Sequence, residues 1–374
     1  MRKLVGQGRL KEIFRSLIVK DKLPHALLFY GPEGVGKDAA ALELGKYLLC
    51  QGDNPPCDSC SYCRKFDKYE HPDFFHLFPI QSPKGDYEKW RWEEAMSEEQ
   101  VDNYHQEVQK KAQNYYHQMN MKGAQNILIG QVRDLIHKSS FSSFSGDNRF
   151  ALISPAHLMN KEAQNSLLKL LEEPPAGFYI CLATPRPEAL LPTVISRCQP
   201  FYFPILSKEE IAKGLMDLKN AEAEKAQFIA GRADGSYSRA VDILENRESL
   251  RDTVLNKILA DIVKRNPINI FKAHKNFQMN RPYSDKPTAK RILIEIDHWL
   301  RDVDMMDHGL EPRYNRDLRQ RLEKFRKNVD YKDIPRMRRV LAESVDLIDK
   351  NVYIDMIYIN LANRLNRLMK KKDS

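Results

Sequence analysis

Apolar and polar positions along the chain alternate between two rhythms. Short, nearly unbroken apolar runs occur at 26–30 (Ala26-Leu-Leu-Phe-Tyr30), 74–80, 149–153 (RFALI), 178–183 and 199–203. Runs of that length bounded by turn residues predict buried strands. Between them, apolar residues recur at three- and four-residue spacing, the helical period. Leu10, Ile13, Phe14 and Leu17 mark a helix over 7–19, and Val132, Leu135 and Ile136 another over 131–138. Met159, Ala163, Leu167, Leu170 and Leu171 mark a third. Pro174 and Pro175 stop it, because proline lacks an N–H and disfavours helix in the residue before it. The strand that follows ends at Thr184, and 188–195 reads as a further helix. Strands alternating with helices predict a parallel α/β domain over 1–205.

The rhythm changes after Pro204. Ser207-Lys-Glu-Glu210 is a capping box opening a helix, and 221–230 and 238–245 predict two more, so 206–248 reads as a small helical lid. From 249 to 374 only the helical period remains, with candidates at 253–263, 289–305, 317–329, 334–349 and 352–369; this predicts an all-α third domain. One stretch, 81–123, fits neither rhythm. It is long, charged and dotted with Trp90, Trp92, Tyr104, Tyr115 and Tyr116, although 101–121 is compatible with helix. It reads as an insertion on a loop of the α/β domain, either a partner-binding excrescence or a solvated helical hairpin.

Composition narrows the class. Of 374 residues, 42% are apolar and 30% charged, which excludes a disordered chain. No apolar run reaches the roughly 18–20 residues needed to cross a bilayer. The opening MRKLVGQGRLKEIF is too polar for a secretory signal, so a cytoplasmic protein is expected. A net charge of +9 leans mildly towards a polyanionic partner. Four of the six cysteines fall between Cys50 and Cys63. In a cytoplasmic chain that clustering points to metal before disulfide.

Chemistry gathers at three places. The first is Gly31-Pro-Glu-Gly34-Val-Gly36-Lys37-Asp38, which follows a strand and opens a helix, the setting of a phosphate-binding loop. Backbone N–H groups there cradle phosphates, and Lys37 would reach the terminal ones. The residue after the lysine is ordinarily Ser or Thr, whose hydroxyl ligates Mg²⁺; here it is Asp38. Two readings stay open: a degenerate ATP/ADP site formed by Gly31, Gly34, Gly36, Lys37 and Asp38, or a turn whose glycines only shape the backbone. A working P-loop ATPase also carries acids at the tip of a later strand, one ordering Mg²⁺ and one polarising water. At the tip of 149–153 the sequence has Ser154-Pro155, which can do neither. The second place is Cys50-x6-Cys57-x2-Cys60-x2-Cys63. Four thiolates at short spacing suit a tetrahedral Zn²⁺, and no water-activating group accompanies them, so the metal is expected to be structural. His71 reads as a turn residue. The third place is Ser196-Arg197-Cys198, which presents a long cation beyond the last core helix.

The words LLKLLEEPP, LATP and SRC, in that order behind four cysteines and His71-Pro72-Asp73, resemble the AAA+ subunits of bacterial sliding-clamp loaders. Within that family the pattern is most similar to the delta-prime type of the DNA polymerase III loader. The resemblance covers about 1–250 by motif and the remainder by arrangement only. It implies an AAA+ P-loop core, a helical lid and a helical collar, working in a hetero-oligomer that places a sliding clamp on primed DNA. It implies partners among the motor and delta subunits and no membrane. It also implies that Arg197 is an arginine finger acting in trans on a neighbour's ATP. Asp38, Ser154, Pro155 and Ser238, which stands where the family's lid has an arginine, imply a subunit without ATPase activity of its own. The alternative is an active motor subunit; a P-loop small-molecule kinase and a zinc-dependent nucleic-acid binder are weaker rivals.

Overall fold

The computed structural model describes residues 1–81, 96–119, 121, 124, 126–144, 146, 148–245, 259, 286–331, 333–350 and 352–371. They form two compact units, Met1–Val241 and Asp242–Ser374.

The first unit is built on one parallel sheet. Its strands are β1 (Ala26–Tyr30), β2 (Phe74–Leu77), β3 (Arg149–Ile153), β4 (Phe178–Thr184) and β5 (Gln199–Tyr202). Their spatial order is β2-β3-β4-β1-β5. The central strands carry continuous apolar runs because both faces are covered; Leu27, Phe29, Phe150, Leu152, Ile180 and Leu182 are all buried. The register aligns Tyr30 with both Thr184 and Tyr202, and Ile153 with both Leu77 and Leu182. The carboxyl ends of β1, β3 and β4 therefore share one rim, the edge where open α/β sheets collect ligands.

Helices α1 (Gly8–Val19), α2 (Lys37–Leu48), α3 (Ser61–Asp67), α4 (Glu98–Gln113), α5 (Ile129–Ser139) and α6 (Lys161–Glu172) follow in chain order. The stripe read from the sequence is the buried face of α6: Ala163, Leu167, Leu170 and Leu171 pack with Val132 and Leu135 against Ile153, Ile180 and Leu182. Each leucine buried there contributes about 2 kcal/mol. Asn160 caps this helix by accepting from the Ala163 N–H at 2.8 Å. Against the sheet, α2 lies so close that a Cβ at Gly45 would stand 2.4 Å from the Phe150 ring.

Two expectations are corrected at proline. The helix expected over 188–195 is a 3-10 turn at Pro187–Ala189 followed by a single turn, α7 (Pro192–Ile195). Pro192 disfavours helix in Leu191, which is extended. The second strand stops at Leu77, short of Pro79, and Ile80 forms an isolated antiparallel bridge with Asn126. Proline cannot donate to a ladder.

The insertion is not a solvated hairpin where it is described. A capping box between Ser97 and Gln100 opens α4. A small core of Phe78, Ile80, Met119 and Met121 with Tyr104 and Val108 holds it to the end of β2. Trp90 and Trp92 lie outside the described residues. The segment expected to form a lid, called the lid below, contains α8 (Lys208–Lys219), α9 (Ala223–Arg232) and α10 (Tyr237–Leu244). Ser207 and Glu210 make the expected reciprocal cap at 3.1 and 2.9 Å.

Among its described residues the second unit is helical apart from one extended ribbon. Helices α11 (Lys286–Asp307), α12 (Arg319–Asn328), α13 (Ile334–Asp349) and α14 (Ile354–Leu368) enclose a core containing Ile292, Ile296, Leu300, Met337, Leu341, Leu361 and Leu365. The helices expected to run to 329 and 369 end one residue early. There the chain turns extended and pairs β6 (Val329–Tyr331) with β7 (Met369–Lys371) as an antiparallel ribbon. The helix expected over 253–263 lies outside the described residues, Leu259 excepted. The buried carboxylate of Asp302 closes the loop after α11. It accepts the N–H groups of Arg313, Tyr314 and Asn315 and the Asn315 side-chain amide at 2.6–3.0 Å for the shortest bond of each. Of these the Tyr314 bond is the longest, at 3.0 Å.

Candidate functional site

The glycine-rich loop joins β1 to α2 at the ligand rim. Gly34 has φ +75°, and a Cβ on it would stand 1.9 Å from the Ser236 hydroxyl, so no side chain fits. The lid is that close because the N–H groups of Tyr237 and Ser238 donate to the Gly34 carbonyl at 2.9 and 3.3 Å. Lys37 does not reach outward. Its ammonium donates to the carbonyls of Gly31 at 2.8 Å and Pro32 at 2.5 Å. Burial lowers its pKa to about 8, against the pull of Asp38 and Glu33.

Asp38, in the first turn of α2, has both oxygens engaged. The Ser154 hydroxyl, at the tip of β3, donates to Oδ1 at 2.6 Å. The Lys111 ammonium, from α4, donates to Oδ2 at 2.6 Å and to the His117 carbonyl at 2.8 Å. Lys111 is 1% exposed. Burial alone would raise the Asp38 pKa; the Lys111 charge and the two hydrogen bonds outweigh it and hold the carboxyl below its ordinary range. His76 of β2 lies within the field of this pair. Its ring nitrogens are buried with no hydrogen-bond partner. Burial, helped by the Lys111 charge, drives its pKa down to about 3.

The segment after α4 continues across the site. The Tyr116 hydroxyl accepts from the Val5 N–H at 2.8 Å and stands where a Cβ on Gly36 would approach within 3.0 Å. The Tyr116 carbonyl accepts from the Ser238 hydroxyl at 2.9 Å, and its ring meets Tyr237 edge-on at 4.5 Å. Ser238 is thus bonded to the insertion, while Arg239 pairs with Asp234. Thr184 caps its strand, accepting from the Arg186 N–H at 3.0 Å.

The four cysteines come together as the spacing predicted. The sulfurs of Cys50, Cys57, Cys60 and Cys63 lie within 4.8 Å of one another. Backbone N–H groups of Gly52 and Cys57 point at the Cys50 sulfur, that of Cys60 at Cys57, and that of Cys63 at Cys60. The N–H groups of Ser59 and Cys60 bring the Cys57 thiol down to about 6. Amide donors stabilise thiolates, and a four-thiolate set of this size fits a tetrahedral metal ion. Lys46 of α2 pins the knuckle to the core through Asp58 at 2.7 Å and Asp67 at 2.6 Å. Tyr115 donates to Asp67 at 3.0 Å, which ties the insertion to the same corner. His71 is a turn residue, its Nδ1 accepting from the Asp73 N–H.

Arg197 follows α7, away from the glycine loop in sequence and joined to neither Asp38 nor Lys37. Its Nε donates to Glu172, the end of α6, at 2.6 Å; a second guanidinium nitrogen also pairs with that carboxylate, and Nη1 donates to the Thr193 carbonyl at 3.0 Å. The pair is partly exposed.

Lys111, Tyr116 and His76 were not among the expected site residues. Their signal was faint: a lysine and a tyrosine in a charged insertion, and a histidine inside an apolar strand.

A curated relative, DNA polymerase III subunit delta' of Bacillus subtilis (strain 168), is 30% identical over 65% of this chain and 60% of its own length. DNA polymerase III subunit delta' of Pseudomonas aeruginosa PAO1 is 31% identical over 55% of this chain and 52% of its own. DNA polymerase III subunit tau of B. subtilis is 26% identical over 67% of this chain and 38% of its own. The chain thus spans 60% or less of the length of these relatives. Residues 6–207, more than half of the chain, match the family model described as DNA polymerase III, delta subunit, and the chain belongs to that family.

Proposed function

We propose that the chain is a non-hydrolysing AAA+ subunit of a DNA polymerase III clamp loader. The observation that carries this reading is the state of Asp38. It stands where a hydrolysing loop keeps its Mg²⁺ ligand, and its two oxygens are taken by Ser154 and Lys111. With Ser154 and Pro155 at the β3 tip, water finds no base and Mg²⁺ no anchoring acid. Residues 1–205 serve as the core, 206–248 as the lid and 249–374 as the oligomerising collar. Cys50, Cys57, Cys60 and Cys63 hold one structural Zn²⁺. Partners are the motor and delta subunits, with the sliding clamp and primed DNA reached through the complex in the cytoplasm.

In this reading Arg197 is a finger for a neighbour's ATP. Its pairing with Glu172 is a resting state that the neighbour's phosphates replace. A surface ion pair contributes less than about 1 kcal/mol, so the exchange costs little. The motor-subunit reading draws on the likeness to tau and on the retained Gly34, Gly36 and Lys37. Phosphate release by the purified chain, with and without DNA, separates the two. The expected result is none above background, together with co-elution of the chain with motor and delta subunits. Steady turnover lost on Lys37→Ala establishes the motor reading instead.

A further inference from the structure

The two side chains that a triphosphate and its metal would use at this loop, Lys37 and Asp38, are already bonded to protein. Lys37 is turned onto the Gly31 and Pro32 carbonyls. The Asp38 oxygens are both taken. The Gly34 carbonyl holds the lid through Tyr237 and Ser238. What occupies the rim is the stretch 107–117, which begins on α4 and returns through His117. His117 Nε2 lies 2.9 Å from the buried Glu107 carboxylate, which fixes the turn. The Lys111 ammonium then delivers one positive charge between Asp38 and the His117 carbonyl. Mg²⁺ demands near-octahedral oxygens at about 2.0–2.1 Å and keeps its waters; an ammonium asks only for two or three acceptors, and here it has them. Tyr116 bridges the N-terminal segment at Val5, the loop at Gly36 and the lid at Tyr237 and Ser238. In a nucleotide-dependent core those parts would be joined through the ligand.

We propose that residues 107–117 are an intramolecular occupant of the nucleotide site, with Lys111 in place of the metal and Tyr116 in place of the nucleotide as the link between loop and lid. Core and lid are then held closed with no ligand, and ATP and the insertion exclude each other. An entering phosphate would face the Asp38 carboxylate and would have to strip Lys37 and Lys111 of their oxygens. The loop is a fastening point for its own lid.

Occupancy of the site by 107–117 is separable from the clamp-loader assignment and is tested on the full chain alone. The probe is a methylanthraniloyl derivative of ATP with Mg²⁺, titrated into the full chain and read by fluorescence. The expected result is no saturable binding below the order of 1 mM. Binding in the micromolar range overturns the proposal even if no phosphate is released, whereas failure to enter a loader would overturn only the functional reading. Hydrogen exchange supplies the second measurement. In Tyr116→Ala the amides of Tyr237 and Ser238 should exchange on the order of tenfold faster than in the parent, while those of β3 and β4 stay unchanged. Ser238→Ala, a smaller change that removes one bond of the same bridge, should accelerate the same amides less. Lid amides that exchange at the parental rate in both variants refute the bridge.

Discussion

His76 takes its place on β2 with its ring nitrogens shut away from solvent and unpaired. In the folded chain its pKa is about 3, against an ordinary 6.5. Between those values the unfolded chain accepts a proton that the folded chain refuses. The stabilising contribution is therefore complete above about pH 6.5 and drains away as pH falls towards 3. Urea midpoints measured from pH 7 downwards should fall through this window, and His76→Phe should flatten that part of the curve. Parallel curves for the two chains would place the acid sensitivity elsewhere. Asp302 sets a larger local stake, because Asp302→Ala strands three backbone N–H groups and an amide inside the second unit. A loss on the order of 3 kcal/mol in denaturant unfolding is expected, and a smaller one for Asp302→Asn, which keeps one acceptor. Neither role was legible in the sequence. A histidine in an apolar run and an aspartate in an amphipathic helix acquire their meaning from partners that only the fold supplies.

Elements were legible in proportion to how local their causes are. Helix α6 was marked by its own stripe and the two prolines after it, although its cap at Asn160 emerged only from the fold. The four-cysteine knuckle was marked by spacing, and its chemistry is equally local. One zinc per chain is expected by elemental analysis, and Cys60→Ser should weaken metal retention while its hydroxyl still caps α3 at the Cys63 N–H. Retention of full zinc content and unchanged thermal stability in that variant would argue against the site. Helix α4 was misjudged for a physical reason. Among its buried positions are Glu107 and Lys111, which a hydropathy pattern counts as solvent-facing. Lys111 is buried because its counter-charge lies on α2, 73 residues away, and no local rule sees that distance. The β6–β7 ribbon was missed because strands of three residues leave no period to detect.

Across the whole molecule, the sequence revealed the chain's order of parts far better than how they lock together. Strand, glycine loop, knuckle, insertion and the later helices follow in the expected succession. The loop-to-lid fastening through 107–117 was hidden because it joins segments that read as independent. The functional expectation at this scale concerns Arg197. In a reconstituted loader, Arg197→Ala should assemble normally and lower the clamp- and DNA-stimulated ATPase of the complex only in part, since one of several motor sites would lose its finger. Arginine fingers are worth roughly 10³–10⁵ in rate at the site they serve. Glu172→Gln, which releases the guanidinium from its resting partner, should leave stimulated turnover unchanged or raise it. Full activity in Arg197→Ala would show that the guanidinium serves only the local pair with Glu172.

The bond between Asp38 and Lys111 also makes the loop hard to repair. Asp38→Thr would return the hydroxyl that a magnesium site needs, yet by itself it would abandon a buried ammonium, a change that costs about 3–5 kcal/mol. That is a large share of the roughly 5–15 kcal/mol by which a domain is stable. Lys111→Met alone would abandon the carboxylate instead. Only the two changes together escape the penalty, so the double variant should be more stable than the sum of the single losses allows. Either single change towards a hydroxyl at position 38 therefore meets a loss of stability first. The carboxylate at position 38 behaves as a ratchet, set in place by a lysine far along the chain.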